Sequence, residues 1–260
     1  MTVLGVTAFA EVGPAGMTAL ALIFFFAFFL KGVFGYGAVP ALVVLGSLVV
    51  PAHTAILLAA LTNFVSHLQY VPESLREGDR RLALGLIVYF FPSIIVGVWL
   101  FHGLDADTLG LVTGLIMLAI IGAEARGVFA HMVEHVRQRA RRYAAVSGSL
   151  AGLVAGLIGT GAMVFVTPYV RLFQPEKRAF RATVLLLAGA MVTWRICVLA
   201  LTGAFSAELL LEALLLAPIG MLAGWAGSRM VDRLPARVFF GGYQILLAVG
   251  AALLVLRGLA

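Results

Sequence analysis

Four stretches of the chain, 32–72, 82–104, 143–170 and 238–256, contain no Asp, Glu, Lys or Arg. A helix crossing a hydrocarbon core of about 30 Å needs roughly 20 apolar residues, so each stretch is of membrane length or longer. No soluble core requires runs of this kind. Charged residues make up 12% of the chain, against about 25% in an ordinary soluble domain, and they gather in short segments between the apolar runs. The chain is therefore read as an all-α, polytopic membrane protein. Its net charge of +6 follows the inside-positive bias of membrane loops and requires no nucleic-acid partner. Cys197 is the only cysteine, which excludes an intramolecular disulfide and a cysteine zinc site. The Phe-rich stretch 17–30 does not read as a cleaved signal, because no basic residue precedes it and Lys31 follows it.

Apolar segments are expected near 14–31, 36–50, 53–71, 82–101 and 108–125, and again near 144–158, 162–173, 182–202, 209–228 and 237–256. The Arg-rich segment 131–142 is the natural linker between a first membrane half, 1–130, and a second, 143–260. The halves resemble one another beyond hydropathy. Gly32-Val-Phe-Gly35-Tyr36-Gly37-Ala38 is echoed by Gly156-Leu-Ile-Gly159-Thr160-Gly161-Ala162, and Pro51 stands to Pro175 at the same spacing. Pro92, Gly97 and Trp99 are echoed, with a small slip, by Pro218, Gly224 and Trp225. Five segments per repeat is an odd number, so the second copy lies upside down, an arrangement familiar in secondary transporters.

Loop charge agrees with inversion. With the Arg76, Arg80 and Arg81 loop in the cytoplasm, the His102, Asp105 and Asp107 loop is outside and the Arg137–Arg142 cluster inside. Lys177, Arg178 and Arg181 are also basic and belong inside. Both ends of 143–170 then face the same side, so that stretch enters the membrane and turns back. By the same logic 13–50 enters and leaves from outside, and both termini face out. Residues 162–170 supply only about 14 Å of helix at ~1.5 Å per residue, too short to cross, and Pro168 shortens the regular part further. The turns at Gly35-Tyr36-Gly37 and Gly159-Thr160-Gly161 are thus expected within the membrane. Non-helical backbone at that depth requires burial in protein or a wet cavity beside it.

A helix beginning after each break aims free backbone N–H groups and a positive dipole end at the midplane, which favours an anion. Glycines allow close approach, and Tyr36 and Thr160 add hydroxyls at matched positions. Ala38 and Ala162 complete the two candidate turns. The competing reading is that these glycines serve helix packing alone. Arg195 lies in an otherwise uncharged run, 184–201; it either grips the anion or snorkels to an interface beside Trp194. Lys31 either faces the anion or marks the cytoplasmic tip of a hairpin. Asn63 and His67 are four apart on one helix face. His67 suits proton coupling or simply bonds a neighbouring helix. No zinc, nucleotide-phosphate or serine-elbow signature occurs, so neither an enzyme nor a cofactor is expected, and transport would run on a gradient or a partner subunit.

The two glycine runs, Gly32 to Pro40 and Gly156 to Ala162, together with the Pro92/Gly97 and Pro218/Gly224 pairs, resemble the sulfite exporter TauE/SafE family over essentially the whole chain. The chain departs from the family pattern in having Ala38 and Ala162 where further glycines are common, and Val164 where Pro40 would have its counterpart. The resemblance implies a multi-pass protein that exports or imports sulfite, sulfonates, sulfoacetate or related organosulfur or carboxylate anions. The expectation is a transporter of two inverted repeats, each with a re-entrant helix pair and three full spans. It would sit in the cytoplasmic (inner) membrane and move a small anion, with protons as the coupling ion. A permease for a carboxylate or metal cation, and a non-transporting scaffold subunit, are the alternatives; the lack of intramembrane acids disfavours a cation.

Overall fold

The computed structural model describes residues 2–3, 6–7, 9, 12–34, 38–128, 139–230 and 236–259. Apart from a two-residue antiparallel pair, Thr2–Val3 with Val6–Thr7, the described elements are helical. They are α1 (Pro14–Phe34), α2 (Ala38–Gly46), α3 (Ala52–His67), a 3-10 turn (Leu68–Tyr70), α4 (Val71–Glu77), α5 (Arg80–Gly103) and α6 (Ala106–Ala125). After the Arg-rich segment come α7 (Ala140–Ile158), α8 (Met163–Phe173), α9 (Lys177–Leu201), α10 (Ala207–Ser228) and α11 (Ala236–Leu259).

Among the described residues six segments are long and apolar enough to cross a membrane: Pro14–Gly32, Ala52–Glu77, Arg80–Gly103, Ala106–Ala125, Arg178–Leu201 and Ala207–Gly227. Their outer surfaces agree. Leu201 is 87% exposed and Trp99 73%, and such large apolar side chains are stable on an outer surface when lipid is the solvent. Helices α2 and α8 are different. At 9 and 11 residues they reach only about 14–17 Å at ~1.5 Å per residue, roughly half a bilayer core. Pro168 does not shorten the regular part of α8 as expected from the sequence: it lies inside the helix, where it forfeits one backbone hydrogen bond.

The described residues form two compact units. The first comprises Met1–Ser66, Leu104–Leu118 and Gly203–Ala260; the second comprises His67–Gly103 and Ala119–Thr202. Each unit draws helices from both halves of the sequence. In the first, α1 packs on α10 rather than only on its neighbours in the chain. A Cβ at Gly220 would meet the Phe28 ring at 2.7 Å, and one at Gly227 would meet Gly32 Cα at 3.1 Å. In the second, α5 packs on α7. There a Cβ at Gly152 would lie 2.8 Å from Phe90 Cα, and one at Gly156 2.8 Å from Gly97 Cα. Glycine faces of this kind let backbones approach where no hydrophobic effect drives helices together in lipid.

The polar end of the second unit is held by Asp79. Its Oδ1 accepts from the Arg81 and Leu82 amides at 2.9 and 3.0 Å, capping α5, and its Oδ2 accepts from Gln174 Nε2 at 2.7 Å. The Asp79 amide donates to Thr183 Oγ1 at 3.0 Å. Asp79→Ala is expected to destabilise the protein by about 1–2 kcal/mol, the worth of a good cap, with Asp79→Asn retaining part of it; thermal unfolding of the purified protein measures both. At the start of α6 the Asp105 carboxylate accepts from the Thr108 amide and hydroxyl, which hold it below the usual carboxylate range.

Candidate functional site

In the second unit, α7 ends at Gly159, whose φ of 74° is left-handed, and Gly161 has φ 73°. A side-chain-bearing residue costs roughly 1–2 kcal/mol in that region, so the two glycines make a double reversal around Thr160 possible. The chain then enters α8 through Ala162, whose side chain provides no cap. Phe165 N donates to Ala162 O at 3.2 Å, and no side chain caps the Met163 and Val164 amides, at the positive end of the helix. The break expected from the sequence at Gly159-Thr160-Gly161 lies between a 19-residue helix and an 11-residue one.

Arg195 comes to this break from α9. It is 3% exposed, and its Nε donates to Gly156 O at 3.2 Å. The guanidinium lies flat against Gly159: a Cβ there would stand 3.0 Å from Cζ. This bond satisfies a C-terminal carbonyl of α7, which accounts for one edge of the guanidinium. Another edge is unspent. Among the described residues Arg195 Nη2 and Thr160 Oγ1, both buried, have no hydrogen-bond partner, and no Asp or Glu is buried. Leaving a buried charged donor unsatisfied is costly, so the arrangement is stable with an acceptor beside it. Trp194 does not anchor at an interface alone; it stacks on Phe91 at 4.7 Å and donates to Phe91 O at 3.0 Å.

Other sequence candidates are brought together in the first unit. Lys31, on the last turns of α1, is 6% exposed. Its Nζ donates to Asn63 Oδ1 at 2.9 Å and to Ser66 Oγ at 2.6 Å, and lies 5.7 Å from the Phe28 ring centroid. Ser66 in turn donates to Asn63 O. Sequence reasoning missed Ser66, although its spacing of three from Asn63 puts both on one helix face. Ala38, the first residue of α2, is 2% exposed. Gly35, Tyr36 and Gly37 lie outside the described residues. His67 belongs to the second unit, where Nε2 lies 3.0 Å from Leu185 O; a carbonyl only accepts, so Nε2 carries the proton. Gly189 makes room for the ring, since a Cβ there would come within 2.8 Å of Nε2. Among the described residues no group of three or more His, Cys, Asp or Glu is placed to hold a metal ion.

Spanning helices interrupted by half-length ones define a multi-pass membrane protein. The family model for the sulfite exporter TauE/SafE matches residues 20–254. The chain belongs to that family, whose members are membrane transporters of sulfur anions such as sulfite. No curated protein and no solved structure matches it.

Proposed function

We propose that the protein is a secondary transporter carrying a small sulfur oxyanion, such as sulfite, a sulfonate or sulfoacetate, across the cytoplasmic membrane. One observation carries the reading: a buried guanidinium lies on a glycine break, with its Nη2 and the adjacent Thr160 hydroxyl both lacking acceptors. An oxyanion supplies two acceptor oxygens and the missing charge. Arg195 and Thr160 would bind it, Gly159 and Gly161 would allow backbone contact, and Ala162 would open the α8 amides to it. In the first unit Lys31, held by Asn63 and Ser66, would supply a second cation near Ala38; Gly35, Tyr36 and Gly37, also proposed to bind substrate, lie outside the described residues. In this reading 1–130 and 143–260 are inverted repeats joined by 131–142, both termini are outside, and His67 serves proton coupling.

Thermal shift of the purified protein with sulfite, sulfoacetate, taurine, thiosulfate and acetate tests this. Selective stabilisation by a sulfur anion is expected, and Arg195→Gln should weaken it about 10- to 100-fold, the worth of a charge-assisted hydrogen bond or two. Arg195→Lys keeps the charge but loses the fork and should also bind more weakly. Undiminished binding in Arg195→Lys would leave Arg195 as a helix-end cap. Absence of a shift with every sulfur anion would favour a carboxylate permease or a scaffold subunit.

A further inference from the structure

The first unit contains a cavity of about 190 Å³ that the transport reading does not use; Ser47, Pro51, Ala52, Asp107, Leu254 and Arg257 line it. Its walls are fixed by close backbone packing of α6 on α11. A Cβ at Gly114 would lie 2.6 Å from Ala251 O, and one at Gly258 would lie 2.7 Å from Leu111 Cβ and 3.1 Å from Asp107 O. Two charges mark it as polar, while Ser47, 3% exposed, lines it with its Oγ closed off from water. Asp107 stands in the first turn of α6 and Arg257 in the last turn of α11. Among the described residues these opposite charges pair neither with each other nor with any other ionic group.

An anion alone would meet Asp107, and a cation alone would meet Arg257. A ligand with an ammonium at one end and an oxyanion at the other satisfies both. At about 190 Å³ the cavity is small and partly open to its surroundings, which suits a compact zwitterionic group. The cavity is built from the beginning of α6, the end of α11 and the turn before α3. Helix ends of spanning segments lie at headgroup depth.

We infer that this cavity binds a phosphoethanolamine group, the headgroup of a zwitterionic phospholipid, with the ammonium toward Asp107 and the phosphate toward Arg257. Asp107 and Arg257 are both exposed, so their substitution leaves the helix packing intact.

Native mass spectrometry of the detergent-purified protein, reconstituted with equal phosphatidylethanolamine and phosphatidylglycerol, tests the assignment. Retention of phosphatidylethanolamine is expected, falling about tenfold in Asp107→Asn and in Arg257→Gln, each of which removes one charge-assisted contact. Ser47→Ala, at an oxygen closed off from the cavity, should leave it unchanged. Free O-phosphoethanolamine, added in thermal shift, separates the sources. Stabilisation by it without lipid retention would keep the site and assign a soluble zwitterion. Equal retention of the two lipids, or retention unchanged in both charge variants, with no effect of free O-phosphoethanolamine, would overturn the inference.

Discussion

Gly97→Ala is expected to destabilise the second unit by about 1–3 kcal/mol, the usual cost of overpacking a tight contact, and Gly97→Leu to prevent accumulation of folded protein. An alanine Cβ at 97 would stand 2.8 Å from both Gly156 Cα and Leu157 N, and would also strike Leu153 O. All three are backbone atoms, so no rotamer change relieves the clash; α5 and α7 must separate. Gly85 offers the internal control. It lies on the same helix, and nothing approaches an added Cβ there within 4 Å. Gly85→Ala should therefore be neutral or stabilise by up to about 1 kcal/mol, because alanine is the better helix former. Thermal midpoints of the two variants give the comparison, and equal midpoints would mean that α5 and α7 are not in backbone contact.

Gly159→Ala should remove anion binding as well as lowering stability. The left-handed φ costs roughly 1–2 kcal/mol for a residue with a Cβ, and that Cβ would press on the Arg195 guanidinium, 2.5 Å from Nη1. The guanidinium would leave the break, or the break would open. Gly203→Ala separates strain from displacement. Gly203 has φ 72° but open space where its Cβ would go. It should show a comparable loss of stability with sulfite affinity unchanged. If Gly159→Ala binds sulfite as tightly as the parent protein, the anion does not lie against Arg195.

Much of this protein is legible in the order of its residues. Charge-free runs fix where helices must be, because an ion in hydrocarbon is expensive at any point along a span. The pair Gly159 and Gly161 marks a reversal, because few other residues adopt φ near +74° cheaply; the half-length α8 that follows is a matter of counting. The role open to Arg195 was not legible. Its position in α9 is equally compatible with snorkelling toward an interface, and only the packing of α9 on α7 brings its guanidinium to Gly159 rather than toward the helix end. Lys31 posed the same ambiguity until α3 placed Asn63 and Ser66 beside it.

The partner of each glycine face was also decided in three dimensions. The run Gly148, Gly152 and Gly156 announces that some backbone comes close, as does Gly220 with Gly227. Such a face is degenerate, since any helix with a matching groove satisfies it. Hydropathy and spacing, properties local to each segment, therefore determined the spans, the break at Gly159-Thr160-Gly161 and the likeness of the two halves in sequence. That α1 packs on α10 and α5 on α7, so that each compact unit mixes the two halves, was settled by van der Waals fit between helices far apart in sequence, which no local pattern encodes.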